Sequence, residues 1–209
     1  MRKIIVYLLL SLPVFAFGQV GIKAGLNFAN VTNASSINSS SESGFHAGLF
    51  LGTPSKKILG FRSEIIFSRQ GYSYKSATNT GKVNLDYILM PQLMCINITK
   101  FFQLQFGSHM AFLINAKADT TNNISGLPGA YGQIMSYYNK FDYGFAAGVE
   151  IHPAMGLIIG ARYNISLSKL YADAQSGQIP SFSAADAKNN LVQLFAGWQF
   201  GNQSSKKKK

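Results

Sequence analysis

Three histidines, eight carboxylates, one cysteine and nineteen Lys and Arg side chains are the groups in this 209-residue chain that could do chemistry. Hydrolysis by a lipid deacylase or a protease needs a Ser, a His and a carboxylate within hydrogen-bond reach of one another. Ser108 and His109 are sequence neighbours, and in an extended chain consecutive side chains point to opposite faces. They cannot serve together as nucleophile and base. His46 shares the face of His109, and His152 borders a turn at Pro153. No triad emerges, and the expectation is a protein that is not an enzyme and has no catalytic residues. Cys95 sits in the run Met94-Cys95-Ile96, where a thiol behaves as a small buried hydrophobe. No cluster has the spacing of a metal site, so no metal and no cofactor are expected.

The formal charge of +11 invites a polyanion as partner, but its distribution argues otherwise. Arg2 and Lys3 precede the apolar run 4–12, Pro13 and the small residues Ala16 and Gly18. That order describes a secretory signal peptide over 1–18, and the run is far too short to span a bilayer as a helix. Lys206 to Lys209 end a basic tail, 201–209, expected to be solvated and disordered. The small excess that remains forms no nucleic-acid motif, so no nucleic-acid partner is expected. Only 13% of residues are charged, against 47% hydrophobic and 13% aromatic. A soluble domain carries charge at roughly a quarter of its positions, and a disordered chain is poor in aromatics. Much of this protein's surface need not face water.

The remaining candidates for a polar site are Lys23, Arg62, Glu64, Asp86, His109, Asp142, Glu150 and Arg162. All lie in segments whose hydropathy alternates with period two, the strand period. Eight strands are expected at about 20–30, 43–52, 60–74, 83–97, 101–116, 141–152, 157–169 and 189–200. Connections at 53–59, 98–100 and 153–156 are short, whereas 31–42, 75–82, 117–140 and 170–188 are mostly longer and rich in Ser, Asn, Thr and Ala. Short turns on one side and long loops on the other mark an outer-membrane barrel. The predicted fold is an eight-stranded antiparallel up-and-down transmembrane β-barrel over 19–200.

Face assignment gives the pattern its physical meaning. The first strand sets Val20, Ile22, Ala24, Leu26 and Phe28 against Gly21, Lys23, Gly25 and Asn27. The same separation is read in each strand, including the fourth, where Val83, Leu85, Tyr87, Leu89 and Leu93 are placed outward and Asn84, Asp86 and Gln92 inward. A Lys or Arg facing lipid at mid-depth costs about 2–4 kcal/mol, which explains apolar faces free of charge; Arg69 would lie near a rim. A soluble lipocalin-like barrel would invert the pattern, with its polar face wet. Eight strands enclose a space that side chains can fill. Inner-face glycines would leave room for Arg and Glu, and the inner charges must pair because an unpaired buried charge is costly. The expectation is a polar network plugging the lumen, with a small pore carrying ions or protons as the alternative. In the loop 117–140, Tyr131, Tyr137 and Tyr138 are candidates for a contact surface.

The motifs GIKAGLNFANV, FHAGLF, FRSEIIFSRQGYSY and LDYILMPQL, followed by FDYGFAAGVEI, IGARYNISL and NNLVQLFAGWQF, occur in that order along 19–200. Together they resemble the PorT-like, or "porin family", outer-membrane β-barrel domain of Bacteroidota-type bacteria. The resemblance implies a barrel in the outer membrane with both termini periplasmic. The implied partners are outer-membrane lipid, the barrel-insertion machinery that reads a closing strand such as Trp198 to Phe200, and an envelope protein or surface ligand. A secretion-associated role gives the group its name, but no residue here carries it over.

Overall fold

Alternation along the chain becomes a division between two sides of one wall. The computed structural model describes residues 19–32, 38–53, 58–75, 80–120, 132–133, 135–154, 156–172 and 187–200. The expected signal peptide and basic tail lie outside them. Eight long strands are present: β1 (Gln19–Thr32), β2 (Asn38–Gly52), β3 (Leu59–Lys75), β4 (Thr80–Asn97), β5 (Phe102–Thr120), β7 (Phe141–Ala154), β8 (Leu157–Ser166) and β9 (Lys188–Phe200). A two-residue β6 (Gly132–Gln133) lies along the upper part of β5.

The long strands follow one another antiparallel around the wall, and the pairing of β1 with β9 closes the ring. Closure has a physical cause, because lipid cannot satisfy the N–H and C=O groups of an open sheet edge. At one end the connections are tight. Thr99 Oγ1, for instance, accepts from the backbone N–H groups of Phe101 and Phe102 at 3.1 and 3.0 Å and shapes the β4–β5 turn. At the other end β2 to β5 run on past the point where β7 begins and β8 stops. The barrel is therefore taller on its β2–β5 side.

Seven strands present the faces expected of them. In β1 the outward residues Val20, Ile22, Leu26 and Phe28 are exposed, while Gln19, Lys23 and Asn27 are buried. β4 is reversed. Val83, Leu85, Tyr87, Leu89 and Leu93, expected to face lipid, are all buried inside the barrel. Ile88, Met90, Met94 and Ile96 take the lipid side instead. The reason lies in composition: both faces of β4 are apolar at membrane depth, so alternation alone could not choose between them.

Packing makes the choice. The inward face of β5 is lined above His109 by Ala111, Ala116 and Ala118, and the bulky β4 side chains fill the room these leave, together with Ile66 and Leu113. The loop-end half of the interior thus holds an apolar cluster, which corrects the expectation of a wholly polar lumen. Asp86 moves with its strand. It lies on the outer wall, where Arg69 grips it at 2.7 and 3.0 Å and Asn115 donates at 2.9 Å. Beside it β5 carries one extra residue, since Asp86 pairs with Asn115 while Tyr87 pairs with Leu113.

The corrected orientation can be tested by labelling. In a Cys95→Ser background, Ile88→Cys should react with a membrane-soluble maleimide in the folded, lipid-embedded protein, and Leu89→Cys should not. Faster labelling at 89 would restore the orientation expected from sequence.

Candidate functional site

The interior of the turn-end half is built around charge. Arg62 (β3) donates through Nη1 and Nη2 to both oxygens of Glu150 (β7) at 2.5 and 2.9 Å. Arg162 (β8) makes the same two-point contact with Glu64 (β3) at 2.6 and 2.9 Å. Lys23 (β1) lies 2.6 Å from the same Glu64 carboxylate. Gln105 (β5) ties the two pairs into one network, accepting from Arg162 at 2.7 Å and donating to Glu150 at 2.9 Å. Its Nε2 also lies 2.8 Å from Gln103, which in turn donates to Asn97 at 2.7 Å. His152, near the turn end, approaches Glu150 at 3.0 Å. Side-chain exposure of Lys23, Glu64 and Arg162 is 0%. Charge-assisted, two-point pairing of this kind is what makes such burial tolerable.

Two inward aromatics complete the cluster. Arg62 lies over the ring of Phe50 at 4.5 Å, and Lys23 over that of Phe195 at 4.3 Å. Their electron-rich faces stabilise cations that outnumber the carboxylates three to two (Lys23, Arg62 and Arg162 against Glu64 and Glu150). The inner glycines open space for the charged chains, with a Cβ on Gly197 falling 2.9 Å from Lys23 Cβ and one on Gly148 falling 3.2 Å from Arg162 Cβ, and for the rings as well. A Cβ on Gly21 would lie 2.1 Å from Phe50 Cζ, and one on Gly160 would lie 2.5 Å from Phe195 Cζ. Parity could have placed both rings inward, because their neighbours Leu49, Leu51, Leu194 and Ala196 face lipid.

Above the charges the interior divides lengthwise. One wall carries an amide and hydroxyl chain. Asn164 donates to Gln193, Gln193 to Asn27, and Asn27 to Ser68, at 3.0, 3.1 and 2.9 Å, and His46 Nδ1 meets Asn27 Oδ1 at 2.8 Å. The facing wall is the apolar cluster of β3 to β5. Of the eight residues expected in a lumen network, Lys23, Arg62, Glu64, Glu150 and Arg162 meet in the charged cluster. His109 and Asp142 are buried higher up, with Asp142 accepting from Ser166 at 2.6 Å and from Ser168. Asp86 is outside the barrel, as described above. Ser108 faces outward and His109 inward.

Three tyrosine hydroxyls meet at the mouth. Tyr138, which follows a 3-10 turn at Met135–Tyr137, and Tyr171, beyond β8, place their hydroxyls 2.7 and 2.6 Å from that of Tyr72 (β3). Their rings pack at 5.1 Å. Burial raises the pKa of both Tyr138 and Tyr171 above the ordinary phenol value, so the hydroxyls stay protonated and able to donate. Backbone bonds Ala172 N–H to Tyr137 O and Asn139 N–H to Leu170 O, both 3.0 Å, bind the two connections to each other. Tyr138, expected on a contact surface, is instead a buried part of the plug. Tyr137 is half-buried against the apolar cluster, and Tyr131 lies outside the described residues.

Removing a partner from the charged cluster should be costly. Glu64→Gln strands Lys23 and Arg162 together, and loss of one partner from a buried pair costs about 3–5 kcal/mol. Urea unfolding in lipid vesicles, followed through Trp198, should show that loss, with partial recovery in Glu64→Gln/Lys23→Met. An unchanged midpoint for the single variant would mean that the cluster carries no such charge pairing.

Comparison with known proteins bears on the fold and on the family. Neisserial surface protein A has a solved structure that matches with a TM-score of 0.50 at 14% identity, covering 87% of this chain and 97% of that one. Ail, the attachment invasion locus protein of Yersinia pestis, matches with a TM-score of 0.49 at 14% identity, covering 88% and 99%. OprG from Pseudomonas aeruginosa matches with a TM-score of 0.44 at 10% identity, covering 88% and 96%. At 14% identity the likeness to Neisserial surface protein A is one of fold. No curated protein matches the sequence. The family model described as "Outer membrane protein beta-barrel domain" matches residues 17–172, three-quarters of the length, and the chain belongs to that family of the outer membrane.

Proposed function

We propose that the protein works without catalysis, as an outer-membrane barrel that holds its loop-end connections as a fixed platform for a surface ligand or another envelope protein. The observation that carries this reading is the staple across the mouth. Two connections separate in sequence are bonded to each other through their backbones and to the wall through Tyr72. A loop that is already ordered loses less entropy when it binds, and recognition residues concentrate on loops held by a rigid scaffold. In barrels of this class the longer loops face the cell exterior. Ser136, Lys140 and Lys169 are exposed on the stapled connections and take over the contact role expected of Tyr138.

The packed interior argues against a pore. Charged side chains at the turn end, apolar ones above them and the tyrosines at the mouth fill the described cross-section in succession.

Two measurements on the same protein test this reading. Displayed on a non-adherent host cell, the chain should confer binding to a cognate cell or envelope surface. Ser136→Glu/Lys140→Glu/Lys169→Glu should abolish that binding while the heat-modified electrophoretic shift of a folded barrel is kept. Planar bilayers should record no unitary steps. Regular conductance steps, with surface binding indifferent to the three substitutions, would replace the platform with a pore.

A further inference from the structure

The reversal of β4 carries Gln92 to the lipid side with its strand. There its Nε2 donates to Ser63 Oγ of β3 at 2.8 Å, and its register partner on β5 is Ser108. Both serines face outward as well. Along β4 the outward positions from the loop end are Ile88, Met90, Gln92, Met94 and Ile96, each about 7 Å from the next. Gln92 is the middle one. Two apolar rows of β3, β4 and β5 lie above it and two below. The outward positions of β1, β2, β7, β8 and β9 at this depth are aliphatic or aromatic. One polar row, Ser63-Gln92-Ser108, therefore crosses one wall of the barrel in the middle of its apolar band.

A carboxamide has two N–H donors and two acceptor lone pairs. Among the described residues Ser63 is the one side-chain partner of Gln92, and Ser108 Oγ has none. Hydrocarbon supplies no partner for what is left, and polar groups without partners are costly there. Lipid is thus a poor match for this row, and a second copy of the same wall is a good one. Barrels inserted in the same sense and related by a twofold axis along the membrane normal meet row against row at equal depth. About that axis a carboxamide is complementary to itself, since the N–H of each copy faces the C=O of the other. The same axis turns β5 of each copy toward β3 of its partner, and so Ser108 toward Ser63. Met90 and Met94 flank Gln92, and their flexible thioether chains adapt to close packing.

We propose that the β3–β5 wall is a reversible contact between two copies of this protein within the membrane, centred on a reciprocal pair of Gln92 amides with the Ser63 and Ser108 hydroxyls beside it.

Energy transfer in lipid vesicles provides the test. Full-length Cys95→Ser/Lys100→Cys protein, labelled at the turn end with a donor or an acceptor dye, is mixed in phosphatidylcholine and diluted with lipid. With the wall intact, transfer should stay above the level of random collision as lipid is added. Gln92→Leu/Ser108→Ala in the same background should raise the dissociation constant in the membrane by about tenfold. A hydrogen bond between membrane segments is worth about threefold on average, and the axis makes each one twice. Leu194→Ala, on β9 across the barrel, should leave the constant unchanged, and the heat-modified shift shows that each variant is folded. Three results would overturn the proposal. Transfer at the collision level with the wall intact would leave the row to lipid or to a different protein. An unchanged constant in Gln92→Leu/Ser108→Ala, or an equal loss in Leu194→Ala, would place the contact elsewhere.

Discussion

Glu64 is the group on which the interior depends. Its two oxygens take both donors of Arg162 from one wall and lie against Lys23 from another. One carboxylate thus ties β1, β3 and β8 together across the barrel. The second carboxylate, Glu150, does the same for β3 and β7 through Arg62, and Gln105 of β5 joins the two. An eight-stranded ring is narrow enough for such side chains to meet, and in its low-dielectric interior they must meet. Closure of the backbone and pairing of the charges are one constraint acting at two levels. The ring removes unpaired backbone groups from lipid, and the plug removes unpaired side chains from the ring.

The other half of the interior is stabilised differently. β4 turns its larger apolar side chains inward against the alanines of β5, so the loop-end half packs like the core of a water-soluble protein. That packing continues upward without a break into Tyr72, Tyr138 and Tyr171, and through them into the two stapled connections. The apolar half therefore links the wall in the membrane to the surface outside it. A wholly polar lumen would have left the connections with little to rest on.

Much of this was legible in the sequence, and the exceptions share a cause. Alternation orients a strand when one face is polar, as in β1, where Lys23 and Asn27 oppose Ile22 and Leu26. In β4 the run Ile88-Leu89-Met90 is apolar on both faces, and the choice falls to the volume left by Ala111, Ala116 and Ala118 of β5, which no local pattern in β4 records. Asp86 was misplaced with its strand, and its outer-wall partners Arg69 and Asn115 come from two other strands. The charged cluster was legible because glutamates and arginines on a face enclosed by eight strands have few places to go. The staple was not, because the fate of Tyr138 depends on Tyr171, 33 residues away, and on how two irregular connections cross.

The sealed, paired plug is the central claim, and the arginine side chains report on it directly. Beyond Arg2 the sequence holds only Arg62, Arg69 and Arg162. Arg62 and Arg162 are buried in the cluster, whereas Arg69 is ion-paired on the outer wall and half exposed, a control within the same molecule. Exchange of guanidinium protons with water should be measured by nuclear magnetic resonance on arginine-labelled protein in nanodiscs. The account predicts that Arg62 and Arg162 exchange orders of magnitude more slowly than Arg69. Equal, fast exchange at all three would mean that water runs through the barrel and that the plug does not exist.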